Sequence, residues 1–154
     1  MFSSDADAES LTHRLVLPRD TNHYGTLYAG AVLSLALEAA YVAAFRLVGS
    51  DANLVLKRVL DLRCYEPVPV GTVVEIRSRA VHRARAHLVV AVFGSPLRPD
   101  RTGPWLDGAL QFVQVGPSGR PEPLADESKV IPGILPPPWD DLRERVHTLL
   151  RVRG

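Results

Sequence analysis

The sequence predicts an α+β domain in which one antiparallel sheet packs against a single long helix. One long apolar stretch of helical composition follows a short first strand. About four strand-like runs then follow in series, and no further helical pattern separates them. The chain's 154 residues, 46% hydrophobic and 23% charged, fit one globular domain with a real core.

The elements follow in order. Met1 to Ser10 is acidic and polar with no positive or apolar run behind it, so no signal peptide is expected and the expected location is cytoplasmic. Leu11 to Leu17 alternates loosely as a first strand, and Pro18 to Gly25 breaks it with turn-forming residues. From about Gly30 to Val48 the chain is rich in Ala, Leu and Val with no internal Gly or Pro, and Gly49-Ser50-Asp51 supplies a stop. Glu38 in the middle of this stretch and Arg46 near its end argue against a membrane span, because a carboxylate at the centre of a lone spanning helix is costly. The stretch therefore reads as a helix buried on nearly all sides.

Strands are expected at Leu54 to Tyr65, Thr72 to Val81, His87 to Phe93 and Leu106 to Val115. They are separated by Pro67–Gly71, by Arg83-Ala84-Arg85 and by a Pro/Gly-rich loop from Ser95 to Gly103. Strands in series imply antiparallel pairing, with the central helix as the only element able to cover the sheet's apolar face. The domain is expected to span residues 1–130. Residues 131–154 then form a proline-rich connector, Ile131 to Pro138, and a short helix from Trp139 to Val152 with Leu142, Val146 and Leu149 on one stripe. That helix would dock on its own domain or on an oligomeric partner, or act as a separate binding motif.

Composition also excludes functions. Eighteen Lys+Arg against seventeen Asp+Glu give a net charge of +1, and no basic run interleaves with aromatics, so nucleic acid is not an expected partner. The single cysteine, Cys64, permits no intrachain disulfide and reads as a small buried residue. His82 and His87 are an odd number of residues apart, which on one regular strand would turn them to opposite sides. No metal site and no cofactor are expected.

The run Asp20-Thr-Asn-His-Tyr-Gly-Thr-Leu-Tyr-Ala-Gly-Ala-Val-Leu-Ser-Leu-Ala-Leu-Glu-Ala-Ala40 closely resembles the motif of the hotdog-fold acyl-CoA thioesterases. In that family an Asn-x-x-Gly loop precedes a small-residue pair that opens the central helix. The stretch from Val59 to Ile76, with its Pro67-Val-Pro-Val-Gly71 turn, is similar to the family's second and third strands, and the basic turn His82 to Arg85 follows. The resemblance covers roughly Leu15 to Leu124 and implies a hotdog fold, an antiparallel sheet wrapped around the central helix. It also implies hydrolysis of acyl-CoA or carrier-bound thioesters. A silent protein of the same fold that binds acyl thioesters or lipids is the other reading.

Thioester hydrolysis needs donors for an oxyanion and a carboxylate to activate water or attack the carbonyl. The helix N-terminus around Ala29, Gly30 and Ala31 supplies backbone donors, and the resemblance assigns the thioester oxygen to the Gly30 amide. It likewise implies that Asn22 positions water or the carbonyl, although an Asn there also holds its own turn. His23 either joins it or merely satisfies the loop. The family's usual acid position is Leu37, which cannot do the work. Glu38 is next to it but rotated by about 100°, so it either takes over catalysis, pairs at a subunit interface or is simply exposed. Arg83 and Arg85, with Arg58 and Lys57, would contact CoA phosphates unless they are only solvated. The long sheet edge and open helix N-terminus imply a homodimer or homotetramer.

Overall fold

The computed structural model describes residues 8–49, 52–124 and 131–151. Strand β1 (Glu9–Leu15) leads through a short 3-10 turn at Pro18–Asp20 to helix α1 (Ala29–Val48). Strands β2 (Leu54–Cys64), β3 (Val73–Arg83), β4 (His87–Gly94) and β5 (Leu106–Gln114) follow, and helix α2 (Trp139–Arg151) closes the described chain. The strands form one antiparallel sheet in the order β1-β3-β4-β5-β2, leaving β1 and β2 as its edges.

Helix α1 lies on one face of this sheet, and alanines set how closely. Ala36, Ala39, Ala40 and Ala44 are fully buried against Ile76, Leu88, Val90, Leu110 and Phe112, so the helix backbone approaches the strands with no large side chain between. Ser78, fully buried in β3, donates from its hydroxyl to the Ala39 carbonyl at 2.8 Å, fixing helix to sheet with a satisfied polar contact. Length and apolarity alone would let α1 cross a membrane, but here it is the core helix of the fold.

The other sheet face is covered too, which corrects the expectation that α1 alone covers the sheet. Leu135, Trp139, Leu142 and Val146 pack on Val81, Val89, Ala91 and Ala109. Trp139 is fully buried, and its indole N–H donates to Glu9 at 2.6 Å. The Arg77 guanidinium donates twice to the same carboxylate, at 3.1 Å each, and lies over the Trp139 ring. Burial alone would push the Glu9 carboxyl up, but the donors from Arg77 and Trp139 outweigh it and hold it below its ordinary value. Farther along, Arg145 of α2 donates to Asp107 at 2.7 Å and to Asp61 at 3.2 Å, and the Tyr65 hydroxyl donates to Asp107 at 3.0 Å. Asp107, above all, keeps the Arg145 guanidinium fully protonated. Helix α2 thus docks on its own domain.

Candidate functional site

Helix α1 begins at the end of the sheet where β1 stops and β3 starts. The backbone there is tied by Val16 N–H to Thr72, Gly71 N–H to Val16, Leu27 N–H to Val68 and Tyr28 N–H to Asp20, all at 2.8–3.0 Å. Asp20 is a buried anchor. It accepts from Arg14 and from the Leu17 N–H, both at 2.9 Å, and so is committed to structure.

The loop before α1 explains why the motif needs both its Asn and its Gly. Asn22 Oδ1 accepts from the Tyr24 N–H at 3.0 Å and from the Thr26 N–H and hydroxyl at 3.2 Å, while the Asn22 N–H donates to the Thr26 carbonyl. Gly25 closes the turn at φ 75°, a conformation that favours glycine. The turn-holding role of Asn22 is therefore real, and it consumes only the oxygen. The exposed carboxamide keeps its two N–H donors for another partner. His23 is exposed, and its ring lies 4.0 Å from that of Tyr24.

Tyr28 is the N-cap of α1, and no side chain caps the helix, so the first-turn amides of Ala29, Gly30 and Ala31 have no side-chain cap; Ala29 is exposed, Gly30 half-buried and Ala31 buried. The Tyr28 ring lies across Gly30. A Cβ built on Gly30 would stand 2.5 Å from Tyr28 Cε2, so only glycine lets the ring and the helix entrance coexist as they are.

The acids fall differently from the sequence expectation. Leu37 lies two turns along α1 from Gly30 and within about 20° of it, so it shares Gly30's stripe. Glu38 lies about 12 Å along the helix and about 80° round from Gly30. It is exposed and makes no hydrogen bond or ion pair among the described residues. The structure thus does not bring Glu38 to the Gly30 amide of its own chain.

A different carboxylate shares a cavity with residues that lead into and open the helix. A cavity of about 230 Å³ lies between the residues leading into α1 and the end of β2, lined among others by Thr26, Leu27, Val32, Cys64, Tyr65 and Glu66. Glu66 is its one carboxylate, is partly buried and has no partner among the described residues. Cys64 is exposed rather than buried as expected, and partial burial of its thiol pushes the pKa up, which disfavours thiolate chemistry at neutral pH. Sequence reading missed Glu66 and Tyr28. The signals were there, a carboxylate directly before the Pro67 turn and an aromatic at the helix cap.

The three arginines separate. Arg58 donates to Gln111 at 2.6 Å on the α2 side of the sheet. Arg83 and Arg85 sit at the β3–β4 turn, at the opposite end of the sheet from α1's start. His82 and His87 belong to two strands flanking that turn, and His82 meets His147 of α2 edge to face at 5.4 Å, so the single-strand reading of the pair is corrected.

The family model described as "Thioesterase superfamily" matches residues 24–94. No curated protein sequence matches. Among solved structures, a hexameric acyl-CoA thioesterase aligns with TM-score 0.77 at 26% identity, covering 96% of this chain and 92% of that one. The acyl-CoA hydrolase of Staphylococcus aureus, solved with butyryl-CoA and CoA, aligns with TM-score 0.79 at 17% identity over 96% and 87% of the two chains. The acyl-CoA hydrolase of Bacillus cereus aligns with TM-score 0.72 at 21% identity over 96% and 85%.

Proposed function

We propose that the chain, a hotdog-fold protein whose residues 24–94 match the thioesterase superfamily model, hydrolyses acyl-CoA or related acyl thioesters to the free acid and thiol. The observation that carries this reading is the uncapped α1 N-terminus at Gly30 beside a cavity holding a free carboxylate, Glu66. In this account the thioester oxygen takes the Gly30 amide as donor, with the positive end of the helix behind it. The Asn22 carboxamide, its oxygen already committed, donates to the carbonyl or to water. Water attacks the carbonyl carbon and passes its proton to Glu66. The tetrahedral oxyanion then collapses, the C–S bond breaks and the leaving thiolate takes the proton back from Glu66. Glu38 serves only if a second copy presents it.

A homo-oligomer belongs to the same proposal. Edge strand β2 exposes Val55 (42%), Leu56 (41%) and Val59 (39%), and α1 exposes Leu33 and Tyr41, apolar side chains that a second copy would cover. Location in the cytoplasm is part of this reading too. Release of free thiol from acyl-CoAs of graded chain length tests the proposal. Turnover with at least one of them supports it. Tight binding of an acyl-CoA with no thiol released would instead favour the silent binder, for which the missing acid at Leu37 is the specific observation.

A further inference from the structure

Strand β2 ends at Cys64, so Glu66 lies beyond the strand, where its side chain makes no hydrogen bond or ion pair among the described residues. Its neighbours therefore decide where the carboxylate points. Pro67 confines Glu66 to extended backbone. The buried Val68 accepts from the Leu27 N–H at 2.8 Å, which ties the far side of Glu66 to the residues that lead into α1. On the near side Tyr65 is held twice. Its N–H donates to the Trp105 carbonyl at 2.9 Å, and its hydroxyl donates to Asp107 at 3.0 Å. Asp107 is buried and cannot follow a moving ring, because two Arg145 nitrogens of α2 hold it at 2.7 and 3.3 Å.

We propose that Tyr65 is a positioning residue of the hydrolysis, its hydroxyl anchoring the end of β2 on Asp107 so that Glu66 faces the cavity it shares with Thr26 and Leu27. The inference rests on the reading of Glu66 as the base. Tyr65 is 50% exposed, so packing holds the ring weakly and its hydrogen bond to a charged acceptor holds it more firmly. Loss of that bond frees the ring to leave the sheet and loosens the carboxylate next to it. A misplacement of about 1 Å at a reacting group costs about 10²-fold in rate, so a small slackening is enough to register. Helix α2, on the sheet face opposite α1, thereby reaches the site through Arg145 and Asp107.

The test is a double-variant cycle on Tyr65→Phe, Glu66→Gln and the two combined. Steady-state kcat and KM are measured with the acyl-CoA that the parent turns over fastest, and thermal unfolding is recorded beside them. Tyr65→Phe removes only the hydroxyl, so melting should stay within about 4 °C of the parent's. The expected result is a kcat about tenfold lower or more at a KM within about twofold of the parent's, with no further loss when Tyr65→Phe is added to Glu66→Gln. Parental kcat in Tyr65→Phe beside a slowed Glu66→Gln overturns this proposal and leaves the base in place. Losses that multiply in the combined variant, or a loss carried by KM alone, overturn it too, since Tyr65 would then act apart from Glu66. Parental kcat in Glu66→Gln, or no turnover by the parent, instead removes the base itself and with it anything that Tyr65 could position.

Discussion

Gly30→Val tests the helix entrance. A Cβ at position 30 would stand 2.5 Å from Tyr28 Cε2, and the valine methyl groups extend farther over the first-turn amides. The fold should tolerate this. Tyr28 is an exposed side chain free to swing away, and glycine and valine differ by only a few tenths of a kcal/mol in helix propensity. Melting should therefore move by no more than about 3 °C. The oxyanion donor is another matter, because blocking one costs about 10²–10³ in kcat, or roughly 3–4 kcal/mol of transition-state stabilisation. Thiol release under saturating acyl-CoA, measured beside thermal unfolding, gives both quantities. Tyr28→Ala is the control, removing the ring while leaving the amide open, and it should retain most of the parental kcat. A folded Gly30→Val protein with parental kcat would refute the assignment of the oxyanion to this amide.

Four further outcomes follow from the packing and charge. Trp139→Ala removes a fully buried indole and its bond to Glu9, and should cost about 3–5 kcal/mol by chemical denaturation. Arg145→Met leaves the buried Asp107 with only the Tyr65 hydroxyl and should cost on the order of 3 kcal/mol, whereas a stability equal to the parent's would show the pair to be dispensable. The Glu9 carboxyl is held below its ordinary 4.5, so its contribution is present above that pH and is lost as pH falls through its lower folded pKa. Glu9→Gln should accordingly flatten the acid limb of the stability curve below pH 4.5, as read from denaturant midpoints. Val59→Lys places a charge on the exposed β2 edge and should shift the oligomer towards monomer by light scattering.

Most of the architecture was legible in the sequence because each element obeys its local rules. The apolar stretch without Gly or Pro became α1, starting at Ala29 rather than about Gly30, and each strand emerged within two residues of its expected limits. The second layer was legible only as an alternative. His87 to Phe93 is a nearly unbroken apolar run, the mark of a strand buried on both faces, and the apolar stripe of α2 allowed docking on its own domain, but nothing in the sequence chose this sheet face over an oligomeric partner. At the site, the loop and the helix entrance could be found because Asn22, Gly25 and Gly30 meet backbone requirements that leave a mark in the sequence. The acid could not. Helix geometry already turned Glu38 away from Leu37's stripe, but that Glu66 shares a cavity with Thr26 and Leu27 depends on how the end of β2 folds past the start of α1, a contact between positions some forty residues apart.

The most direct test of the account is single-turnover hydrolysis of an acyl-CoA by the parent, Glu66→Gln and Glu38→Gln, with acyl-CoA affinity measured on each. The expected result is a fall of 10²-fold or more in the chemical step for Glu66→Gln, with binding nearly intact and Glu38→Gln close to the parent. Parental rates in Glu66→Gln together with a collapse in Glu38→Gln would contradict it, and would move the carboxylate to α1 of a second copy.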